Sequence, residues 1–225
     1  MPHNYSIEEQ ENIFSEFWNR FSAQIISGDG VADSELTSRH ITTIIRLPVN
    51  VATTISNECK DIGLFDYHYP TQDIHLTLIN LDKLLGNHKD VDWDKLGRRI
   101  SDEIENLPHM KFSVKGIGVF PTTVFAQVYD TNSMLELYRV SIIKGVKSYL
   151  AMDDTTDEIR AVVPGATFAN IVRFKDKPDS KLVESIRKMH GYDFGESDPV
   201  SFEVVTTDRL LSKGGTIVHN IIKLQ

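Results

Sequence analysis

The stretch Asp73-Ile74-His75-Leu76-Thr77-Leu78-Ile79 constrains the chain most, because its strict apolar and polar alternation is the pattern of a β-strand. Successive strand side chains point to opposite faces. Ile74, Leu76 and Leu78 are therefore expected in a core, with His75 and Thr77 side by side on the other surface. A neutral imidazole exchanges a proton near pH 7, and a neighbouring hydroxyl can hydrogen-bond a phosphate oxygen. The simpler alternative is a half-buried strand whose polar face happens to carry a histidine.

A chain of 225 residues fits one domain with an appendage, or two small domains. Its formal net charge of -8 argues against broad binding to long nucleic acids, which relies on basic surface to release counterions. A small phosphate-bearing ligand needs only a few local donors. Cys59 is the one cysteine, so no intramolecular disulfide and no cysteine metal cluster is expected. The N-terminus is polar and acidic where a signal peptide would be basic and then apolar, and no apolar run is long enough to span a bilayer. A cytoplasmic protein without membrane partners is the expectation.

The periodicity of Ile13, Phe14, Phe17, Trp18, Phe21, Ile25 and Ile26 predicts a helix over Ser6 to Ser27, broken at Gly28-Asp29-Gly30. Its aromatic stripe either packs on the chain's own body or forms a homodimer or partner surface. Residues 1–38 are thus expected as an N-terminal helical extension, and 39–225 as the main domain. That domain opens with a strand at Ile41–Leu47, followed by Pro48 and a helix ending at Gly63. A helix is expected over Val91–Leu107, and strands at Met110–Lys115 and Val124–Tyr129, joined by Gly116-Ile117-Gly118-Val119-Phe120-Pro121. This Gly-x-Gly lacks the third glycine and the helix of a dinucleotide fingerprint. Ser133-Met134-Leu135-Glu136 has the form of a capping box that opens a helix to Leu150. A strand at Thr167–Phe174, a helix at Ser180–His190 and a closing hairpin, Val200–Leu210 and Thr216–Leu224 around Lys213-Gly214-Gly215, complete an α+β pattern.

The order of these elements, with Tyr69-Pro70 through His75-Leu76-Thr77-Leu78, the Gly116–Pro121 stretch and the Phe202–Gln225 hairpin, resembles the two-histidine (2H) phosphoesterase superfamily of 2′-5′ RNA ligase-like proteins and cyclic phosphodiesterases. The resemblance spans Arg39 to Gln225. It implies a bilobal α+β fold with two antiparallel-rich sheets flanking a central cleft and helices outside. It also implies two His-x-Thr/Ser motifs facing each other, one histidine acting as base and the other as acid while the hydroxyls hold the phosphate. Such chemistry needs no cofactor and no metal.

His75 and Thr77 match the first motif. The second strand, Gly165-Ala166-Thr167-Phe168-Ala169-Asn170-Ile171-Val172-Arg173-Phe174, has no histidine. One alignment places Phe168 at the histidine, Asn170 at the hydroxyl and Arg173 at a downstream arginine. Another keeps Thr167 as the hydroxyl with Gly165 at the histidine, and a third puts Asn170 at the histidine and Val172 at the hydroxyl. Asn170 could donate to a phosphate oxygen but cannot shuttle a proton at neutral pH. Arg173 would make a strong phosphate contact, but strict alternation from Asn170 turns it to the opposite face unless a bulge or strand end intervenes.

His40, His68 and His219 flank or occupy strands and are read as exposed or structurally bonded. The resemblance thus implies His75 and Thr77 as the catalytic residues, with Asn170, Arg173 and Thr167 expected to bind substrate. Three functions stay open: a phosphoesterase for a 2′,3′-cyclic-phosphate or 2′-5′-linked nucleotide, a non-catalytic binder of a nucleotide or RNA end, and an interaction protein working through the N-terminal helix.

Overall fold

Ser6 caps the first helix. Its hydroxyl accepts from the Glu9 amide at 3.2 Å and the Glu9 carboxylate accepts from the Ser6 amide at 2.7 Å, which closes a capping box. In this computed structural model, which describes residues 3–29, 38–63, 66–86, 90–152, 163–178, 180–211 and 215–224, the helix α1 runs Ile7–Ile26. Its aromatic stripe lies on the chain's own sheet. Phe14 is 2% exposed, with its ring 6.2 Å from Phe125 and 5.2 Å from Tyr129, and Phe17 and Phe21 meet Phe120. The aromatic face is thus covered by the chain itself.

The strands are β1 (His40–Arg46), β2 (Tyr67–His68), β3 (His75–Asn80), β4 (Phe112–Phe120), β5 (Thr123–Asp130), β6 (Thr167–Arg173), β7 (Asp193–Ser197), β8 (Ser201–Thr207) and β9 (Ile217–Lys223). They run in the order β7-β4-β5-β6-β3-β1-β8-β9, with β2 on β6, and every pairing is antiparallel. The expected lobes are the two halves of this path, β7-β4-β5-β6 and β3-β1-β8-β9. They are joined where Leu76 pairs with Ala169.

The helices α2 (Val49–Glu58), α3 (Asp82–Leu85), α4 (Trp93–Ile104), α5 (Leu135–Leu150) and α6 (Ser180–Arg187) complete the α+β fold. Asp92 caps α4 by accepting from the Lys95 amide at 3.0 Å. α4 then packs so closely on α5 that a β-carbon at Gly145 would lie 2.7 Å from the Ile100 backbone. Among the described residues, no helix is long and apolar enough to cross a membrane.

Three expectations are corrected. Gly116–Phe120 is not a link but part of β4; the strand bulges between Val114 and Ile117, Gly116 takes a φ of +75°, and the turn falls at Pro121–Thr122. The Ser133–Glu136 box does not form. Ser133 has a φ of 60°, and the Asp130 carboxylate takes the Leu135 amide at 2.7 Å instead. Strand β7 follows Gly191 where no strand was expected, as the outer partner of β4. In the closing hairpin, 212–214 lie outside the described residues, as does Gly30 after α1.

Candidate functional site

The seam between the two halves of the sheet opens into a cleft of about 570 Å³. Thr77 and Asn80 reach it from β3, His40 and Thr42 from β1, and Thr167, Phe168, Asn170 and Arg173 from β6, with Asp82, Arg139 and Arg209 around them. That volume falls within the range of small-ligand sites. The lining carries Arg39, Arg139, Arg173 and Arg209 against one carboxylate, Asp82, although the whole chain is acidic. An anionic ligand is the match for such a lining.

Arg173 reaches the cleft because β6 bulges. On β5, Val124 and Phe125 are consecutive, yet they face Val172 and Asn170, so Ile171 is the extra residue. One inserted residue flips the parity of the strand and puts Arg173 on the same side as Asn170. Its Nε donates to the Tyr69 hydroxyl at 3.2 Å. Asn170 Oδ1 accepts from the Thr123 hydroxyl at 3.3 Å, which leaves its amide nitrogen as the donor toward the cleft. Thr167 donates to the Thr77 carbonyl at 3.2 Å, while no partner among the described residues takes up the Thr77 hydroxyl. Val172 is wholly buried and Gly165 lies in the turn before β6, while Thr167, Phe168, Asn170 and Arg173 of β6 line the cleft.

His75 departs from expectation. It is 4% exposed and stands behind the cleft wall rather than lining it. The physical reason is Tyr69, whose ring packs edge-on at 5.8 Å from the imidazole and whose hydroxyl donates to the Arg209 carbonyl. The ring's Nδ1 lies 2.7 Å from the Asp73 carbonyl, which places the proton on Nδ1 and the lone pair on Nε2. Burial pushes its pKa down to about 4. The Asp73 hydrogen bond opposes this, and the Arg46, Arg173 and His40 charges add to it. His75 is therefore a neutral base at pH 7.

A clamp fixes the turn beneath this ring. Arg46, the Cα partner of His75, donates to the Gln72 carbonyl at 2.9 Å and Asp73 Oδ1 at 3.1 Å, and grips both Glu203 oxygens at 2.9 and 3.1 Å. A second clamp, Arg139, is 3% exposed and stitches the two halves of the sheet together. It donates to Leu78 O on β3, to Val163 O and Ala166 O before β6, and to Glu136. Neither arginine was singled out from the sequence, because most of the groups they hold lie more than twenty residues away along the chain. His68, set aside from the sequence, bonds to the Gly63 carbonyl. His219 stacks on Trp93 at 3.6 Å, outside the cleft.

Comparison with solved structures gives the fold its class. The chain is similar to TT0787 of Thermus thermophilus, with a TM-score of 0.55, 18% identity, and 82% of this chain and 97% of that one covered. It is equally similar to E. coli LigT, a 2′-5′ RNA ligase, complexed with ATP (TM-score 0.55, 12% identity, 82% and 95% covered). LigT complexed with 3′-AMP matches at a TM-score of 0.54 with the same identity and coverage. No family model matches the sequence, and no curated protein matches it. The chain has the fold of the two-histidine phosphoesterases.

Proposed function

We propose that the cleft binds the phosphate of a small 2′,3′-cyclic-phosphate or 2′-5′-linked nucleotide and hydrolyses it slowly through proton transfer at His75. The observation that carries this reading is the convergence of Thr77, Asn170 and Arg173 from two strands on one arginine-rich cleft, with His75 Nε2 left as a fixed base behind it. Thr77 and Asn170 would donate to the phosphate oxygens, and Arg173 would offset their charge. The nucleotide complexes of the structurally similar LigT support a nucleotide as ligand.

Phe168 favours a second reading. It stands where a second imidazole would be expected in this register, so one proton-transfer group is missing from β6. Such a loss typically lowers a rate by about 10²–10⁴-fold, roughly 3 to 5 kcal/mol of barrier. A site so weakened could serve as a binder of nucleotide or RNA ends.

Incubation with adenosine 2′,3′-cyclic phosphate, alongside calorimetric binding of 3′-AMP, separates the two. Product that disappears with His75→Ala supports the phosphoesterase. Saturable binding without product supports the binder, and neither binding nor product rejects both.

A further inference from the structure

The cleft lining sets four arginines beside one carboxylate, and a carboxylate weakens a phosphate site unless it faces a donor on the ligand. That carboxylate is Asp82. We infer that Asn80 and Asp82 form a base-reading subsite next to the phosphate position, selective for bases whose Watson–Crick edge carries an amine beside a ring acceptor, adenine and cytosine. The inference rests on the nucleotide reading above and names the base that site takes.

A bulge brings Asn80 to the cleft. On β1, Thr43 and Ile44 are consecutive, yet they face Ile79 and Thr77, so Leu78 is the extra residue on β3. The inserted residue flips the parity of the strand and puts Asn80 on the side of Thr77. Thr42, the Cα partner of Asn80, lines the cleft with it.

Both side chains are held by backbone amides, and each keeps one group free. Asn80 Oδ1 accepts from the Asp82 amide at 2.9 Å, which leaves Nδ2 as a donor. Asp82 Oδ1 accepts from the Ile41 amide at 2.6 Å, which leaves Oδ2 as an acceptor. Neither free atom has a partner among the described residues, and Asp82 makes no ion pair with them despite the arginines around it. A fixed donor thus stands beside a fixed acceptor, both on half-buried residues of the cleft.

One nucleotide can span the phosphate position and this pair. Three residues of strand put Asn80 about 10 Å from Thr77, the reach from a nucleotide's phosphate to the far edge of its base. Because Leu76 pairs antiparallel with Ala169, the chain running past Asn80 is the stretch that leads into β6. Val163 and Ala166 of that stretch line the cleft and offer an apolar wall to the flat of a ring. Adenine N6 or cytosine N4 would donate to Asp82 Oδ2, while adenine N1 or cytosine N3 accepts from Asn80 Nδ2. Hypoxanthine and uracil carry a carbonyl in place of the amine and an N–H in place of the ring acceptor. They would set oxygen against the carboxylate and hydrogen against the amide, and lose both bonds.

The test is calorimetric binding of 3′-AMP, 3′-IMP, 3′-CMP and 3′-UMP to wild type, Asp82→Asn and Thr77→Ala. Wild type should bind 3′-AMP and 3′-CMP at least about tenfold more tightly than 3′-IMP and 3′-UMP. Asp82→Asn keeps the oxygen that the Ile41 amide holds but turns the free acceptor into a donor. The preference should then fall to near parity while 3′-IMP still binds, which shows that the variant is folded. Thr77→Ala should weaken all four nucleotides and leave the preference intact. Equal binding of 3′-AMP and 3′-IMP to wild type, or a preference that survives Asp82→Asn, overturns the subsite and leaves the nucleotide reading standing. If Asp82→Asn does not fold, the wild-type ratio alone decides, and if wild type binds none of the four, the subsite and the nucleotide reading both fall.

Discussion

Leu76 of β3 pairs with Ala169 of β6, and this pair is the ladder contact that joins the two halves of the sheet. Both side chains are wholly buried, so the flanking residues of each strand turn to the opposite face. His75 and Phe168 each precede the paired residue, and Thr77 and Asn170 each follow it, so the two strands hold these residues at equivalent places. The strands thus carry two matching short motifs, of which Thr77, Phe168 and Asn170 line the cleft and His75 does not.

That match predicts the outcome of Phe168→His. The Phe168 ring packs 5.0 Å from both Phe120 and Phe125, so losing it should cost about 1–3 kcal/mol, seen as a lower melting temperature. The new imidazole should raise turnover of a 2′,3′-cyclic phosphate by at least about tenfold. A folded variant that binds 3′-AMP but gains no rate would contradict position 168 as the place of the missing imidazole.

Arg46→Met should loosen His75 without touching the cleft. Arg46 holds the Gln72 carbonyl and the Asp73 carboxylate, and the Asp73 carbonyl holds His75 Nδ1. The substitution should cost about 1.5–3 kcal/mol from the lost charged hydrogen bonds, measured by urea denaturation. It should also change the His75 tautomer, read from imidazole ¹⁵N shifts. Unchanged shifts would mean that the turn orients the ring without the clamp.

Local signals made much of this legible. The apolar periodicity from Ile13 to Ile26 announced α1, and the alternation around Leu76 announced β3, because each depends on residues within a few positions. The register of β6 was not legible. Alternation alone sends Arg173 away from Asn170, and the bulge at Ile171 that corrects it arises from pairing with Val124 and Phe125, more than forty residues earlier. The burial of His75 likewise depends on Tyr69, which is anchored to Arg209. The Ser133–Glu136 motif misled for the same reason. Glu136 is drawn instead to Arg139 and the Gly165 amide, a tertiary demand that outweighs a local cap.

Phe14→Ala should show that α1 belongs to the folding unit of the main domain. The side chain is 2% exposed against Phe125 and Tyr129, so truncation should cost about 3–5 kcal/mol. Ile26→Ala, at a position 54% exposed on the same helix, should stay within about 0.5 kcal/mol of wild type. Equal losses from the two, in denaturant melts, would argue against docking through the aromatic stripe.

The pH dependence of stability offers a test of the His75 environment that needs no substrate. Burial first, aided by Arg46, Arg173 and His40, lowers its pKa from 6.5 in the unfolded chain to about 4 in the fold. Between those values the unfolded state binds a proton that the folded state does not, so stability rises with pH. The contribution is fully present above pH 6.5, is lost as the pH falls toward 4, and levels off below that. The whole drop corresponds to about 3 kcal/mol. Burial lowers the proton affinity of His40 and His219 too, so the useful quantity is the difference between wild type and His75→Gln. Urea denaturation at pH 7.0, 6.0 and 5.0 should give a shallower fall for His75→Gln than for wild type. Parallel curves would mean that His75 keeps an ordinary proton affinity in the fold, and a ring shut behind Tyr69 and flanked by Arg173 would then be the wrong picture.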